Sequence, residues 1–298
     1  ILWDWQQQDP SNRSILPRSE DGHWQWFRLF MSNKQSVNFW KISNGSAPDQ
    51  PSLYEWLSIP KKFQHFSAIL GFPVNFSRTP VEQQAFFLNH HMPVLSINIS
   101  ENDFVPNFTF LLKLGLRAAA VTSPLKRVSY NFIKSNKIDL QELGSLENKF
   151  KSVNTLFIKS ENHSQDFYLS GANTDLAGFK ALTHNISKDS HIIVWGGGGT
   201  LPIIKEIFPN SIEYSVRTGL PRNGEINISD TDVLIWAASP SAEAPKLKSP
   251  PRIVVDLNYR ADSAAIEYSK LIKAKYISGE EMFKIQAEHQ RNFWNKYF

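Results

Sequence analysis

Short apolar runs recur along the chain at the spacing a parallel sheet requires. Ser67 to Leu70, Pro93 to Ile99 and Ala118 to Val121 have strand length, and Pro80 to Leu88 and Phe108 to Leu114 between them read as helices of about ten residues. Parallel neighbours need a crossover, so this succession predicts βαβ units around a parallel or mixed sheet. The second half repeats it with Ile192 to Trp195, a helix over Leu201 to Ile207, then Ser211 to Val216, Val233 to Ala237 and Ile253 to Leu257. At the end, Glu280 to Phe298 sets Met282, Ile285, Gln286, His289 and Phe293 at helical spacing, predicting a terminal helix that packs on a neighbouring domain. The opening is different. Six of the nine tryptophans (Trp3, Trp5, Trp24, Trp26, Trp40, Trp56) lie in the first 60 residues, among polar and proline-bearing stretches with no clean period.

Composition adds limits. At 298 residues the chain has room for about two domains, and 41% hydrophobic with 20% charged residues is the balance of a folded globular protein. The net charge of +4 comes from 32 basic and 28 acidic residues that are interspersed, so no nucleic-acid or membrane-binding tail is expected. Zero cysteines exclude disulfides, thiolate metal sites and cysteine nucleophiles. Apolar stretches are too short for a spanning helix and Ile1 to Gln8 lacks the pattern of a signal peptide, so the expected compartment is cytoplasmic.

The clearest chemistry follows the strand ending at Trp195. Gly196, Gly197, Gly198 and Gly199 can adopt positive φ and let backbone amides approach a pyrophosphate, and Thr200 opens a helix whose N-terminus favours negative charge. Pro202 suits its first turn. Such a turn also serves tight packing, so the loop alone decides little. At the end of the next expected strand stands Arg217, then Thr218 and Arg222, where an acidic residue would hold a ribose 2′-hydroxyl. A guanidinium there clamps a 2′-phosphate, which favours NADP over NAD, although Arg217 also reads as an ordinary surface charge.

Roughly 190 residues precede the glycine loop, enough for a substrate domain. Among them Lys126, in the run Val121 to Lys126, and Asp175, in Asn173-Thr174-Asp175, suggest proton-coupled chemistry beside a nucleotide. Taken singly, Lys126 reads equally as a surface lysine and Asp175 as a helix N-cap ahead of Leu176 to Leu182.

Taken in order, Asn75 to Pro80 (NFSRTP), Val121 to Lys126, Val153-Asn154-Thr155, Gly171 to Phe179 (GANTDLAGF), the glycine loop, Val216-Arg217-Thr218 and Gly279 to Trp294 (GEEMFKIQAEHQRNFW) resemble the motifs of shikimate dehydrogenases over residues 66 to 298. The resemblance implies an α/β substrate domain and a Rossmann-like NADP-binding domain with the active site in the groove between them. The expected boundaries are an N-terminal segment 1–64, a substrate domain 65–175 joined by the terminal helix 280–298, and an NADP domain 176–279. It implies that Lys126 and Asp175 are the catalytic pair, and that Ser77 and Thr79 hold a substrate carboxylate. Thr122 would line the pocket, with Asn154, Tyr259 and Gln286 as further substrate contacts. The implied reaction is NADPH-dependent reduction of 3-dehydroshikimate to shikimate in aromatic amino-acid biosynthesis. Lysine would give the ketone its proton and aspartate would orient it. Quinate oxidation with NAD and a noncatalytic NADP-binding sensor or scaffold are the alternatives.

Four departures bear on specificity. Ala120 stands where the family usually has Asn, removing one supporting amide at a cost of about 1 kcal/mol. Phe76 replaces the usual His, Trp236 stands near a customary Asn, and Arg260-Ala261-Asp262 replaces a proline-containing turn. Ahead of the family region, Asn44 to Gln50 (NGSAPDQ) with the helical Pro51 to Leu57 resembles the closing loop and helix of a type I dehydroquinate dehydratase, Ser46 and Gln50 matching its substrate-binding pair. A barrel needs about 200 residues or more, so the segment is expected to be a remnant, or the start at Ile1 to mark a fragment of a longer fusion.

Overall fold

The computed structural model describes residues 2–135, 145–160, 167–222 and 231–298. The chain divides into two compact units. Ile1–Glu147, Lys151–Ala172 and Phe293–Phe298 form one, and Asn148–Phe150 with Asn173–Asn292 the other.

In chain order the first stretch holds α1 (Leu2–Gln7), α2 (Gln25–Met31), α3 (Leu53–Leu57), β1 (Phe66–Gly71), α4 (Thr79–Asn89), β2 (Val94–Asn98), α5 (Phe104–Lys113), β3 (Leu116–Val121), α6 (Lys126–Ser135), α7 (Ser145–Phe150), β4 (Thr155–Ser160) and β5 (Phe167–Ala172). Five strands form a mixed sheet in the order β2-β1-β3-β4-β5. β1 is parallel to β2 and β3, while β4 runs antiparallel to both its neighbours. All six residues of β1 are buried, as expected of an interior parallel strand covered on both faces. Ala68 and Leu70 share a core cluster with Phe104 and Phe108 of α5 and with Trp26, Phe30 and Met31 of α2. Ile69, Ala118 and Ala120 join Phe87 of α4 and Trp294 in another. The first 64 residues thus belong to the same compact unit as the sheet. Their helix α2 buries six of its seven residues.

The second stretch holds α8 (Asp175–Leu182), β6 (Ile192–Gly196), α9 (Leu201–Ile207), β7 (Ile212–Tyr214), β8 (Val233–Ala237), β9 (Ile253–Asp256), α10 (Ala264–Leu271), β10 (Lys275–Ile277) and α11 (Glu280–Trp294). Its five strands are all parallel, in the order β10-β9-β8-β6-β7. The chain leaves β6 to one side for β7 and returns to its other side for β8. The carboxyl end of β6 is therefore the topological switch point, where such sheets bind ligands. The sheet is that of a Rossmann-like α/β unit.

On α11 the buried face runs through Phe283, Ala287, Gln290 and Trp294, flanked by Met282 and Phe293. His289, expected on that face, is exposed because the buried stripe lies one position further round the helix. The compact units also part within this helix, after Asn292, whereas the sequence grouped all of 280–298 with the first unit.

Candidate active site

In the first unit the site residues collect at the carboxyl ends of β1 and β3. Thr122 N–H donates to Leu70 O at 2.8 Å and Phe72 N–H to Ser123 O at 3.0 Å, lacing the two loops together. Gly71 makes this possible: a Cβ there would stand 2.3 Å from Cγ2 of Thr122. The loop after β1 is pinned by Val74 N–H on Asn98 Oδ1 (2.9 Å), and Asn98 Nδ2 donates to Asn75 Oδ1 (2.9 Å). It leads into α4, where Ser77 Oγ donates to Thr79 Oγ1 at 3.0 Å and accepts from Thr79 N–H at 3.3 Å. The two hydroxyls lie side by side and partly exposed, able to turn toward one anion.

Lys126 opens α6, and its carbonyl accepts from Val153 N–H at 3.1 Å. Next to that bond is Asn154, wholly buried. Its carbonyl accepts from Val121 N–H (2.7 Å), its N–H donates to Ala172 O (3.0 Å), and its Oδ1 accepts from Thr155 Oγ1 (2.8 Å). Ser77, Thr79, Thr122, Lys126 and Asn154 thus share one end of one sheet. Ala120 lies between Ile69 and Thr155 in that sheet and is buried in an apolar cluster. Phe76 is 65% exposed.

Asp175 belongs to the second unit, at 1% exposure. It is the first residue of α8, not its N-cap. Thr174 is the cap residue, and Asn173 Oδ1 accepts the Asp175 N–H at 3.0 Å because its side chain reaches forward two residues. A carboxylate in a first helical turn is favoured by the helix dipole. Two glycines bring the other expected contacts around α11. A Cβ on Gly178 of α8 would stand 2.6 Å from Met282 O, and one on Gly279 would stand 2.6 Å from Leu257 O. The rings of Tyr259 and Phe283 pack with centroids 4.6 Å apart, three residues ahead of Gln286 on α11.

The Tyr259 loop is anchored by Asp256, which is fully buried. It accepts from Asn258 N–H (2.9 Å), Asn258 Nδ2 (2.8 Å) and the Tyr276 hydroxyl (3.0 Å). Burial, and after it the Asp256 charge, holds Tyr276 above the ordinary tyrosine range. In place of a proline, the turn beyond Tyr259 is closed by Arg260 donating twice to Asp262, at 2.8 and 2.5 Å. These hydrogen bonds raise the arginine and lower the aspartate from their usual values.

At the switch point Gly196, Gly197 and Gly198 have φ of 92°, 127° and 45°. Added Cβ atoms on Gly196 and Gly197 would come within 3.0 Å of Ala237 O and 3.1 Å of Leu201, whereas on Gly198 and Gly199 they would meet nothing within 4 Å. The first pair is explained by packing; Gly198 has a positive φ that favours glycine, and at Gly199 neither packing nor φ requires it. A 3-10 turn over Gly198–Thr200 leads into α9, which spans Leu201–Ile207 as expected. β7 ends at Tyr214, which lies beside Trp195 in register. It gives way to a turn in which Ser215 N–H donates to Leu220 O (2.9 Å) and Arg222 N–H to Glu213 O (2.8 Å). Arg217 and Thr218 therefore stand exposed in a turn, not at a strand end as expected, and Arg222 returns along the strand. A glycine loop with open space beside Gly198 and Gly199, and the exposed guanidinium groups of Arg217 and Arg222, suit a dinucleotide carrying an extra phosphate. Among the described residues no cluster of His, Cys, Asp and Glu could hold a metal, and no helix is long and apolar enough to cross a membrane.

No protein-family model matches the chain. The shikimate dehydrogenase (NADP(+)) of Prochlorococcus marinus strain MIT 9215 is 28% identical over 144 residues, 47% of this chain and 46% of that protein. In that match the chain spans about half the length of its relative. The crystal structure of shikimate dehydrogenase from Aquifex aeolicus superposes with a TM-score of 0.60 at 20% identity, covering 78% of this chain and 93% of that one. The chain has the shikimate dehydrogenase fold. A structure of shikimate 5-dehydrogenase from Thermus thermophilus, in complex with NADP(H) and shikimate, superposes at 0.57 and 18% identity over 78% of this chain and 94% of that one.

Several residues that shape this shikimate dehydrogenase fold carried no expectation. Gly71, Gly178 and Gly279 set the close approaches, and Asp256 anchors the Tyr259 loop. Gly178 lies inside α8, where a glycine among helix-forming residues is the available signal, and Gly279 lies between β10 and α11. In the N-terminal segment Gln50 Oε1 is engaged within its own loop, accepting from Ser46 N–H (2.7 Å), Ser46 Oγ (3.2 Å) and Ala47 N–H (3.2 Å).

Proposed function

We propose that the chain is an NADP-dependent shikimate dehydrogenase, an oxidoreductase acting on a CH–OH group that interconverts 3-dehydroshikimate and shikimate. The observation that carries the reading is the paired Ser77–Thr79 hydroxyls, 3.0 Å apart, gathered with Thr122, Lys126 and Asn154 at one end of a sheet. That sheet belongs to a fold whose Thermus representative is described with NADP(H) and shikimate.

Ser77 and Thr79 donate to the substrate carboxylate, and Thr122, Asn154, Tyr259 and Gln286 bind ring hydroxyls. Lys126 gives its proton to the ketone oxygen, and Asp175 orients the ammonium and a substrate hydroxyl. The nicotinamide cofactor supplies the hydride. Gly196, Gly197, Gly198, Gly199 and Thr200 hold its pyrophosphate, and Arg217, Thr218 and Arg222 its 2′-phosphate. The protein's part is alignment and proton supply, which together lower the barrier without any covalent intermediate.

The test is NADPH oxidation with 3-dehydroshikimate. Lys126→Ala is expected to lower kcat by about 100-fold or more, the scale of lost general acid catalysis. Equal turnover in the variant would overturn the assignment. Parallel assays with quinate and NAD address the altered turn at Arg260–Asp262, and NADPH binding without turnover of any ring acid would favour a sensor or scaffold.

We further read Asn44 to Gln50 with α3 as the closing loop and helix of a dehydroquinate dehydratase. Support comes from the motif alone. A transcript encoding a barrel ahead of Ile1 would bear this out, and one with a start codon directly ahead of it would overturn it.

A further inference from the structure

At the opposite end of the first sheet lies a cavity of about 570 Å³. β1 and β3 each span six residues, so it is separated from the carboxyl-end residues by about 20 Å of strand. Five side chains bring positive or titratable nitrogen to it: Lys62 and His65 ahead of β1, His90 and His91 at the end of α4, and Arg117 near the start of β3. None of the described lining residues is Asp or Glu. Phe63, Met92 and Phe298 supply apolar wall, and the ring of His90 stacks on that of Phe298 at 4.5 Å.

Two backbone irregularities deliver Arg117 and His91 to it. Phe66 pairs with Leu116 but Ser67 pairs with Ala118, so Arg117 is the extra residue of a bulge, a device that re-aims a side chain. Its guanidinium lies 5.0 Å from the centre of the Phe157 ring and makes no ion pair among the described residues. His91 has φ 55°, the left-handed position after α4, with Met92 N–H on Phe87 O and His91 N–H on Leu88 O, each at 2.9 Å. Glycine is the usual residue there, because a side chain is strained in that conformation. Burial, and after it the Arg117 charge, holds His65 below the usual histidine range, and burial lowers Arg117 in turn. Two cationic side chains, Lys62 and Arg117, and three imidazoles thus share a half-buried place with an aromatic wall and, among the described lining residues, no acidic side chain.

We propose that this cavity binds a small aromatic carboxylate, its carboxylate held by Arg117, His65 and His91 and its ring against Phe63 and Phe298. The site is separate from the residues assigned to the reaction and stands whether or not that assignment does. Titration calorimetry of the whole chain with benzoate, and with inorganic phosphate for comparison, tests it. Saturable one-to-one benzoate binding is expected, tighter at pH 6 than at pH 8 because the anion favours the protonated imidazole of His65. Arg117→Met should weaken it about tenfold or more, as loss of a charge-assisted contact does. Since Arg117 also packs on Phe157, His91→Gly is the safer variant. It relieves the left-handed position, so its Tm should hold or rise while benzoate affinity falls at least about threefold. Absence of benzoate binding, phosphate binding tighter than benzoate, or unchanged benzoate affinity in His91→Gly with Tm intact would each overturn the proposal.

Discussion

Where α8, α11 and the loop carrying Tyr259 meet, glycine is needed because protein atoms already fill the space; in the second half of the loop after β6, at Gly198 and Gly199, it is present although nothing fills the space. Gly178 and Gly279 each face a carbonyl oxygen 2.6 Å from where a Cβ would lie, but Gly198 and Gly199 face nothing within 4 Å. Both regions carry residues assigned to function, so a glycine-rich motif does not by itself say whether backbone approaches backbone or backbone approaches ligand. The two cases separate by what a single methyl group costs, and to which property.

The joint should break first. Gly279→Ala would place its methyl 2.6 and 2.7 Å from the Leu257 carbonyl and 2.9 Å from Asn258 O, all backbone atoms that cannot step aside. A loss of about 3 kcal/mol or more is expected in denaturant unfolding. A stability within about 0.5 kcal/mol of the parent would mean that the joint yields easily, and the contrast with the open loop would fail.

The joint also has a titrating anchor, which the glycine loop lacks. Tyr276 donates to buried Asp256, and its pKa in the fold is raised. A raised folded pKa means that the neutral phenol is the stabilised form. The stabilisation is therefore complete below the unfolded value of about 10 and is lost as pH rises beyond it through the folded value. Tyr276→Phe removes a hydrogen bond to a charged group, a cost of about 2 kcal/mol at neutral pH, and should flatten the alkaline fall in stability above pH of about 10. If parent and variant lose stability in parallel above that pH, Asp256 and Tyr276 are not the titrating anchor.

The readable and unreadable parts of the chain differ in the same physical way. The βαβ successions are legible because the central strands β1, β3, β6 and β8 are buried apolar runs and the crossover helices α4 and α5, with eleven and ten residues, are long enough to show their period. β4 (TLFIKS) and β5 (FYLSGA) are not predicted, since apolar runs this short are ambiguous between strand and helix. The first 60 residues were opaque for a stronger reason. α1, α2 and α3 have six, seven and five residues, too few to display a 3.6-residue period, and six consecutive residues of α2 are buried, leaving no polar face to alternate with. Arg217 was legible as a residue type but not as a place, because β7 stops at Tyr214 and a turn follows.

The smallest change is the most discriminating. Gly199 lacks the positive φ of its three predecessors and has open space where a Cβ would lie, so Gly199→Ala should leave stability within about 0.5 kcal/mol of the parent. Restricting the unfolded chain pulls slightly toward a gain. If the loop is bare because a pyrophosphate approaches its amides, the same methyl should weaken NADPH binding by about tenfold, equivalent to about 1.4 kcal/mol. The rise in Tm that NADPH produces would shrink with it. Binding measured by fluorescence and Tm measured with and without NADPH separate the two properties in one protein. Unchanged affinity with unchanged stability would leave Gly199 without any packing or ligand reason, and the cofactor would then have to be held elsewhere than on this loop.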